Sequence, residues 1–285
     1  MYASSFADCV PTGQYSASFA VRARPGQGRS RAAVGPNNYS LHAEMLAAYG
    51  RAIDDERFES AQGSTYLDMY RLLFGRAVDH GLRLPSLVVT GHAVPDLRLD
   101  ETPSMRLIGE FEGPVATFAV VEETSLAAIL VLHCATIAAR SQRLGAFAAV
   151  FADRKDLVYS SSGPEVDRVE ELGILVRFDL GDSSTRGAPG RVQWRSGLTS
   201  REQIVAAAEE LAASATGTVV IPASLAALWD GHGPRVLVAP ANQPATGLVD
   251  IALGLPSGSE PLLIGFDPGR GQLAALPFRV PEVSL

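Results

Sequence analysis

Residues 118–135, FAVVEETSLAAILVLHCA, decide how the chain is read. An apolar run over 118–121 meets four polar residues, Glu122, Glu123, Thr124 and Ser125, and a long Ala-rich apolar segment follows at once. The first run suits a strand and the second a buried helix. A strand that turns sharply into a helix is a place where enzymes mount a nucleophile, because a helix N-terminus offers free N–H groups and the positive end of its dipole. Ser125 stands at that point. A serine hydroxyl starts far from ionisation and needs a base, and the two glutamates oppose an anion. The plainer reading is that Thr124 or Ser125 caps the helix.

Outward from this stretch, strand and helix patterns alternate. A first strand is expected over 4–10, a Gly/Pro/Arg-rich loop over 22–38, helices over 39–54 and 64–80, a strand over 84–90 and a turn over 91–96. A short helix over 103–110 precedes the strand over 115–121. The helix over 124–140 leads to strands over 146–152 and 172–181, then a linker over 181–190. The second half repeats the alternation. Strands fall over 191–195, 218–221, 236–239, 262–266 and 272–279, with helices over 199–213, 223–229 and 245–253. Alternation through both halves predicts α/β layers with mixed sheets and an internal duplication. The expected units are 1–182 and 183–285, packed as one body.

The chain has 285 residues, 47% of them apolar and 19% charged, with a net charge of −7. That profile is globular. The charge argues against nucleic acid, which needs a basic face. No apolar run reaches the roughly 20 residues of a membrane span, and no leader pattern opens the sequence, so a cytoplasmic protein is expected. Cys9 and Cys134 read as reduced core thiols. The five histidines (42, 80, 92, 133 and 232) show no ligand spacing. His133 and Cys134, adjacent on one helix, diverge by about 100°. No metal and no cofactor are expected, and the glycines of GRGQ and GHGP read as turn glycines.

The order strand, polar tetrad, long apolar helix, RLGAFAAVFAD strand and fifth strand resembles the first half of a thiolase-fold protein of the ketoacyl synthase III type. VVTGHAVPD (88–96) and LLIGFDPGRGQLAALPF (262–278) resemble two further segments of that family. The resemblance implies a duplicated αβαβα fold with five-stranded mixed sheets and a shortened second half. In the family a catalytic cysteine heads the long helix, and Ser125 takes its position. The family histidine follows a strand in a PHQAN-like motif; here the matching VAPANQ keeps Pro240 but carries Ala241 in place of the histidine. The family's asparagine turn is absent.

This joint loss is similar to the short, non-catalytic subunit of heterodimeric alkylquinolone-synthase-like enzymes. The resemblance therefore implies no catalytic residues of the chain's own. It implies a longer partner carrying Cys-His-Asn, which would handle an acyl thioester of coenzyme A or an acyl carrier protein. The implied interface is the strand Val115, Ala116, Thr117, Phe118, Ala119, Val120 and Val121, with Leu97 and Leu99 from the preceding loop. Two alternatives stand beside it: a stand-alone acyltransferase using Ser125, and a non-enzymatic homodimeric binding protein.

Overall fold

A computed structural model describes residues 14–24, 36–48, 52–60, 64–93, 103, 105, 106, 116–154, 171–181, 192–229 and 235–284. In chain order the elements are β1 (Gln14–Ala23), α1 (Pro36–Ala48), α2 (Asp55–Ser60), α3 (Tyr66–Asp79), β2 (Leu87–His92), β3 (Ala116–Val121), α4 (Leu126–Ser141), β4 (Ala146–Asp153) and β5 (Leu172–Gly181). The second half supplies β6 (Gln193–Arg195), α5 (Arg201–Ala212), β7 (Val219–Pro222), α6 (Ala223–Ala226), β8 (Val236–Ala239), α7 (Gly247–Leu253), β9 (Leu262–Asp267), β10 (Gln272–Pro277) and β11 (Val283–Ser284).

Two mixed sheets follow. One has the order β11-β1-β5-β4-β2-β3 and the other β6-β10-β9-β7-β8. Leaving β11 aside, the second order is the first with five added to every strand number. The pairing directions match as well: antiparallel, antiparallel, parallel, parallel along each sheet. The duplication expected from element order is thus present in topology. The first sheet gains a sixth strand because Val283 pairs in parallel with Phe19.

The two sheets sandwich a middle layer. Helix α4 packs on β2, β3 and β4 of the first sheet and on β9 and β10 of the second. It is apolar nearly all round, with Leu126, Ile129, Val131, Leu132 and Ala135 fully buried, as a helix between two sheets must be. Helix α7 is its counterpart but has 7 residues against 16. An outer layer, α3, covers the first sheet through Tyr66, Met69, Tyr70, Leu73 and Phe74, and its start is fixed by a Thr65–Asp68 capping box. Helix α5 covers the second sheet and starts with a Ser200–Gln203 capping box.

Several expected boundaries shift. The strand expected over 4–10 and most of the loop over 22–38 lie outside the described residues, but Arg22 and Ala23 end β1 and Pro36 opens α1. The helix expected over 39–54 stops at Ala48, and Asp55–Ser60 forms a separate helix. Gly91 and His92 belong to β2 rather than to a turn. Gly91 packs closely on α4: a Cβ there would sit 2.1 Å from Val131 Cγ2, so a larger residue would force Val131 to move.

Candidate functional site

The polar turn between β3 and α4 and the turn between β8 and α7 meet at one cavity of about 120 Å³. Its wall includes Thr124 and Ser125 from the first turn, and Pro240, Ala241 and Gln243 from the second. Phe266 and Pro268 close it from the end of β9. The fold therefore brings Ser125 and Ala241 together, the two positions singled out in the sequence. Ala241 offers a methyl group where a base would stand. Four lining residues, Pro222, Pro240, Pro244 and Pro268, carry no N–H, so those wall positions give no backbone donor to a developing oxyanion.

Ser125 is 8% exposed. Its Oγ accepts a hydrogen bond from Phe266 N at 2.9 Å and donates to Phe266 O at 3.2 Å. The hydroxyl is thus occupied as donor and as acceptor by the backbone of β9. Of the two cap candidates, Thr124 bonds the helix start and Ser125 does not. Ser125 has helical angles and makes no side-chain cap bond; Thr124 Oγ1 accepts from Leu126 N instead, at 3.3 Å. The reason is the close approach of β9. Gly265 lies so near that a Cβ would stand 2.9 Å from Ser125 O, and the serine side chain satisfies the strand rather than its own helix.

Of the two glutamates, Glu122 is paired. Glu122 is 8% exposed and accepts from Arg270 Nη1 at 2.9 Å and from Thr124 Oγ1 at 3.1 Å. Arg270 also lies 3.5 Å from Asp267. Asp267 Oδ1 accepts from Gly269 N and Arg270 N, which shapes the turn into β10. These contacts tie the nucleophile-type turn to the closing hairpin.

Another buried carboxylate belongs to Asp153, the acid that closes the RLGAFAAVFAD stretch carrying the resemblance. Asp153 ends β4 and is 1% exposed. It accepts from Ala245 N at 3.0 Å, from Thr246 N at 2.8 Å and from Thr246 Oγ1 at 2.6 Å. Burial raises its pKa to about 6, against the lowering effect of these bonds. The signal was present in the sequence: an acid directly after a strand whose other residues are all apolar.

Among the described residues no histidine lines the cavity beside Ser125. His133 lies two turns along α4, half-buried, with its ring 6.4 Å from that of Trp194 and its pKa lowered by burial. His92 stacks on Tyr66 at 4.4 Å, and burial, then Arg154, lower its pKa to about 4. His232 lies outside the described residues, as do Val115, Leu97 and Leu99. Among the described residues Ala116 to Val121 form an edge strand, paired with β2 on one side only. Among the described residues no cluster of three or more His, Cys, Asp or Glu could hold a metal, and no helix is long and apolar enough to cross a membrane.

No protein-family model and no curated protein sequence matches the chain. Solved structures do. 3-Oxoacyl-(acyl carrier protein) synthase III, FabH, from Pseudomonas aeruginosa PAO1 aligns over 94% of this chain and 99% of its own, at 12% identity and a TM-score of 0.57. The tetronic acid condensing enzyme AbyA1 aligns over 92% and 99%, at 16% identity and 0.58. OleA from Xanthomonas campestris, solved with lauric acid and lauroyl-CoA, aligns over 93% and 99%, at 13% identity and 0.58. The chain has the thiolase-like fold of ketoacyl synthase III.

Proposed function

We propose that the chain is the non-catalytic subunit of a heterodimeric ketoacyl-synthase-III-like condensing enzyme of bacterial secondary metabolism. Its partner is a longer thiolase-fold chain that carries Cys-His-Asn. The observation that carries this reading is the state of the inherited cavity. Ser125 Oγ spends its proton and a lone pair on Phe266, and the facing position is Ala241. Acyl transfer from a thioester needs a nucleophile activated by a base within about 3 Å, and among the described residues Ser125 Oγ is bonded to backbone groups and to no side-chain base. The fold is nevertheless kept through both halves, and among the described residues no strand covers the outer edge of β3. An open apolar edge is a hazard unless another chain covers it.

The chemistry follows from the fold's other holders. AbyA1 is a condensing enzyme, and OleA was solved with a fatty acyl thioester. The partner of this chain takes an acyl group from coenzyme A or an acyl carrier protein onto its cysteine and condenses it with a β-keto or malonyl-type acceptor. This subunit completes the dimer in the cytoplasm.

The test is purification of the tagged chain from its own host, followed by treatment with an acyl thioester and intact-mass and peptide mass spectrometry. A co-purifying thiolase-fold chain at one-to-one stoichiometry, labelled on its cysteine, is the expected result. Label on Ser125 makes the chain a stand-alone acyltransferase and overturns the reading. A homodimer with no label favours the binding protein. Ser125→Ala leaves labelling of the complex within about twofold if Ser125 has no part in the chemistry.

A further inference from the structure

The edge strand β3 is six residues long, roughly 20 Å at about 3.3 Å per residue. Sheets stack about 10 Å apart, so such an edge presents on the order of 200 Å². A stable complex buries about 800 Å² per partner. The strand alone therefore falls well short, and a partner on β3 needs more surface on the same side of the molecule.

That surface is present. Helix α4 leans on the β3 end of the first sheet and, through β9 and β10, on the β6 end of the second. The edges β3 and β6 consequently share one side, with the flank of α4 between them. Apolar side chains are bare on all three layers there: Phe118 and Val121 on β3 (36% and 54% exposed), Ile137 on α4 (53%) and Trp194 on β6 (38%). Ile137 lies one turn beyond His133, whose ring meets that of Trp194 edge-on, so helix and second-sheet edge form one band. Burial lowers the pKa of His133, which favours its neutral form in this band. The far edge of the first sheet differs. There β1 is closed by β11, and Arg22 on β1 pairs with Asp250 of α7 at 2.6 Å.

We infer that the partner chain grips the whole side, with Ile137 and Trp194 as a second contact band that joins the two sheets to it. The inference rests on the reading that the partner is a thiolase-fold catalytic chain. An isolated exposed Trp or Ile would need no such account; aromatic and aliphatic anchors aligned with an open strand edge do.

The experiment places the photo-crosslinker p-benzoylphenylalanine at positions 118, 137 and 194 of the full chain in its own host. Position 78, an exposed valine on the outer helix α3, serves as the control. Each crosslinked species is identified by mass spectrometry. The expected result is the same thiolase-fold chain captured at 118, 137 and 194, several-fold above the level at 78. Capture at 118 alone, or of an unrelated protein at 137 and 194, overturns the band and leaves the proposed function standing. Capture of a second copy of this chain at all three positions keeps the band as an interface and overturns the catalytic partner. No capture at any of the three overturns both. As a second measurement, Ile137→Arg lowers the recovered complex about tenfold while leaving the melting temperature of the isolated chain unchanged; an undiminished recovery overturns the band.

Discussion

The starts of α4 and α7 occupy equivalent places in the two halves, and they are tied down differently. Each follows the third strand of its half, and each is held by the fourth strand of the other half. Thr246, just before α7, is held by the carboxylate of Asp153 at the end of β4. Ser125, just before α4, is held by the backbone of Phe266 near the end of β9. Asp267 stands where Asp153 stands, but it turns to its own hairpin, Gly269 and Arg270. One junction is closed by a buried carboxylate with three donors and the other by a neutral hydroxyl, and the cavity lies where the two turns meet. A duplicated fold thus fastens its two halves by different means around one shared chamber.

Breaking the charged junction has the largest effect. Asp153→Ala leaves two backbone N–H groups and a threonine hydroxyl buried without acceptors, and lowers stability by about 3 kcal/mol or more. Denaturant unfolding reads this directly. The same carboxylate has a pH signature. Its pKa is raised to about 6 in the folded chain, from the ordinary aspartate value of 3.8. The native state therefore holds this proton more tightly than the unfolded state does, and the ionised form is the less favourable one in the fold. Stability relative to Asp153→Asn rises as pH falls through 6, by on the order of 2–3 kcal/mol between pH 7.5 and pH 4. A flat difference across that range removes the buried charge from the account.

The neutral junction is weaker. Ser125→Ala strands Phe266 N without its acceptor and costs about 1–2 kcal/mol, measured by thermal or denaturant unfolding. A loss equal to that of Asp153→Ala erases the contrast between the two ends. The smallest effect is expected at the hairpin. Arg270 is 63% exposed at its side chain, so Arg270→Ala costs less than about 1 kcal/mol.

Much of this architecture was legible in the sequence. The strand, polar tetrad and helix at 118–135 fall where they were read, as do β4, β5 and β8. The first strand was not. In β1 the residues Tyr15 and Ala17 face the middle layer, but a bulge between Ala17 and Phe19 turns Phe19, Val21 and Ala23 toward α3. Period-two alternation breaks at that bulge, so the pattern fades where the strand is longest. Strand β11 has no local signal, since its partner lies at the other end of the described chain.

For the site, the positions Ser125 and Ala241 came from resemblance, and the cavity unites them. What Ser125 does came from tertiary structure. Nothing near residue 125 announces that β9 will pass beside it; the trace is Gly265, a strand residue without a side chain in an otherwise bulky run. The role of Asp153 was hidden for the same reason, because its three donors lie some ninety residues further along.

The pairing of β11 with β1 bears on how the molecule is made. Among the described residues the outer edge of β1 is covered by residues 283 and 284 alone. The paired segments lie far apart in the sequence, so this closure is a long-range contact, of the kind that forms slowly and leaves a strand edge exposed to edge-to-edge association until it does.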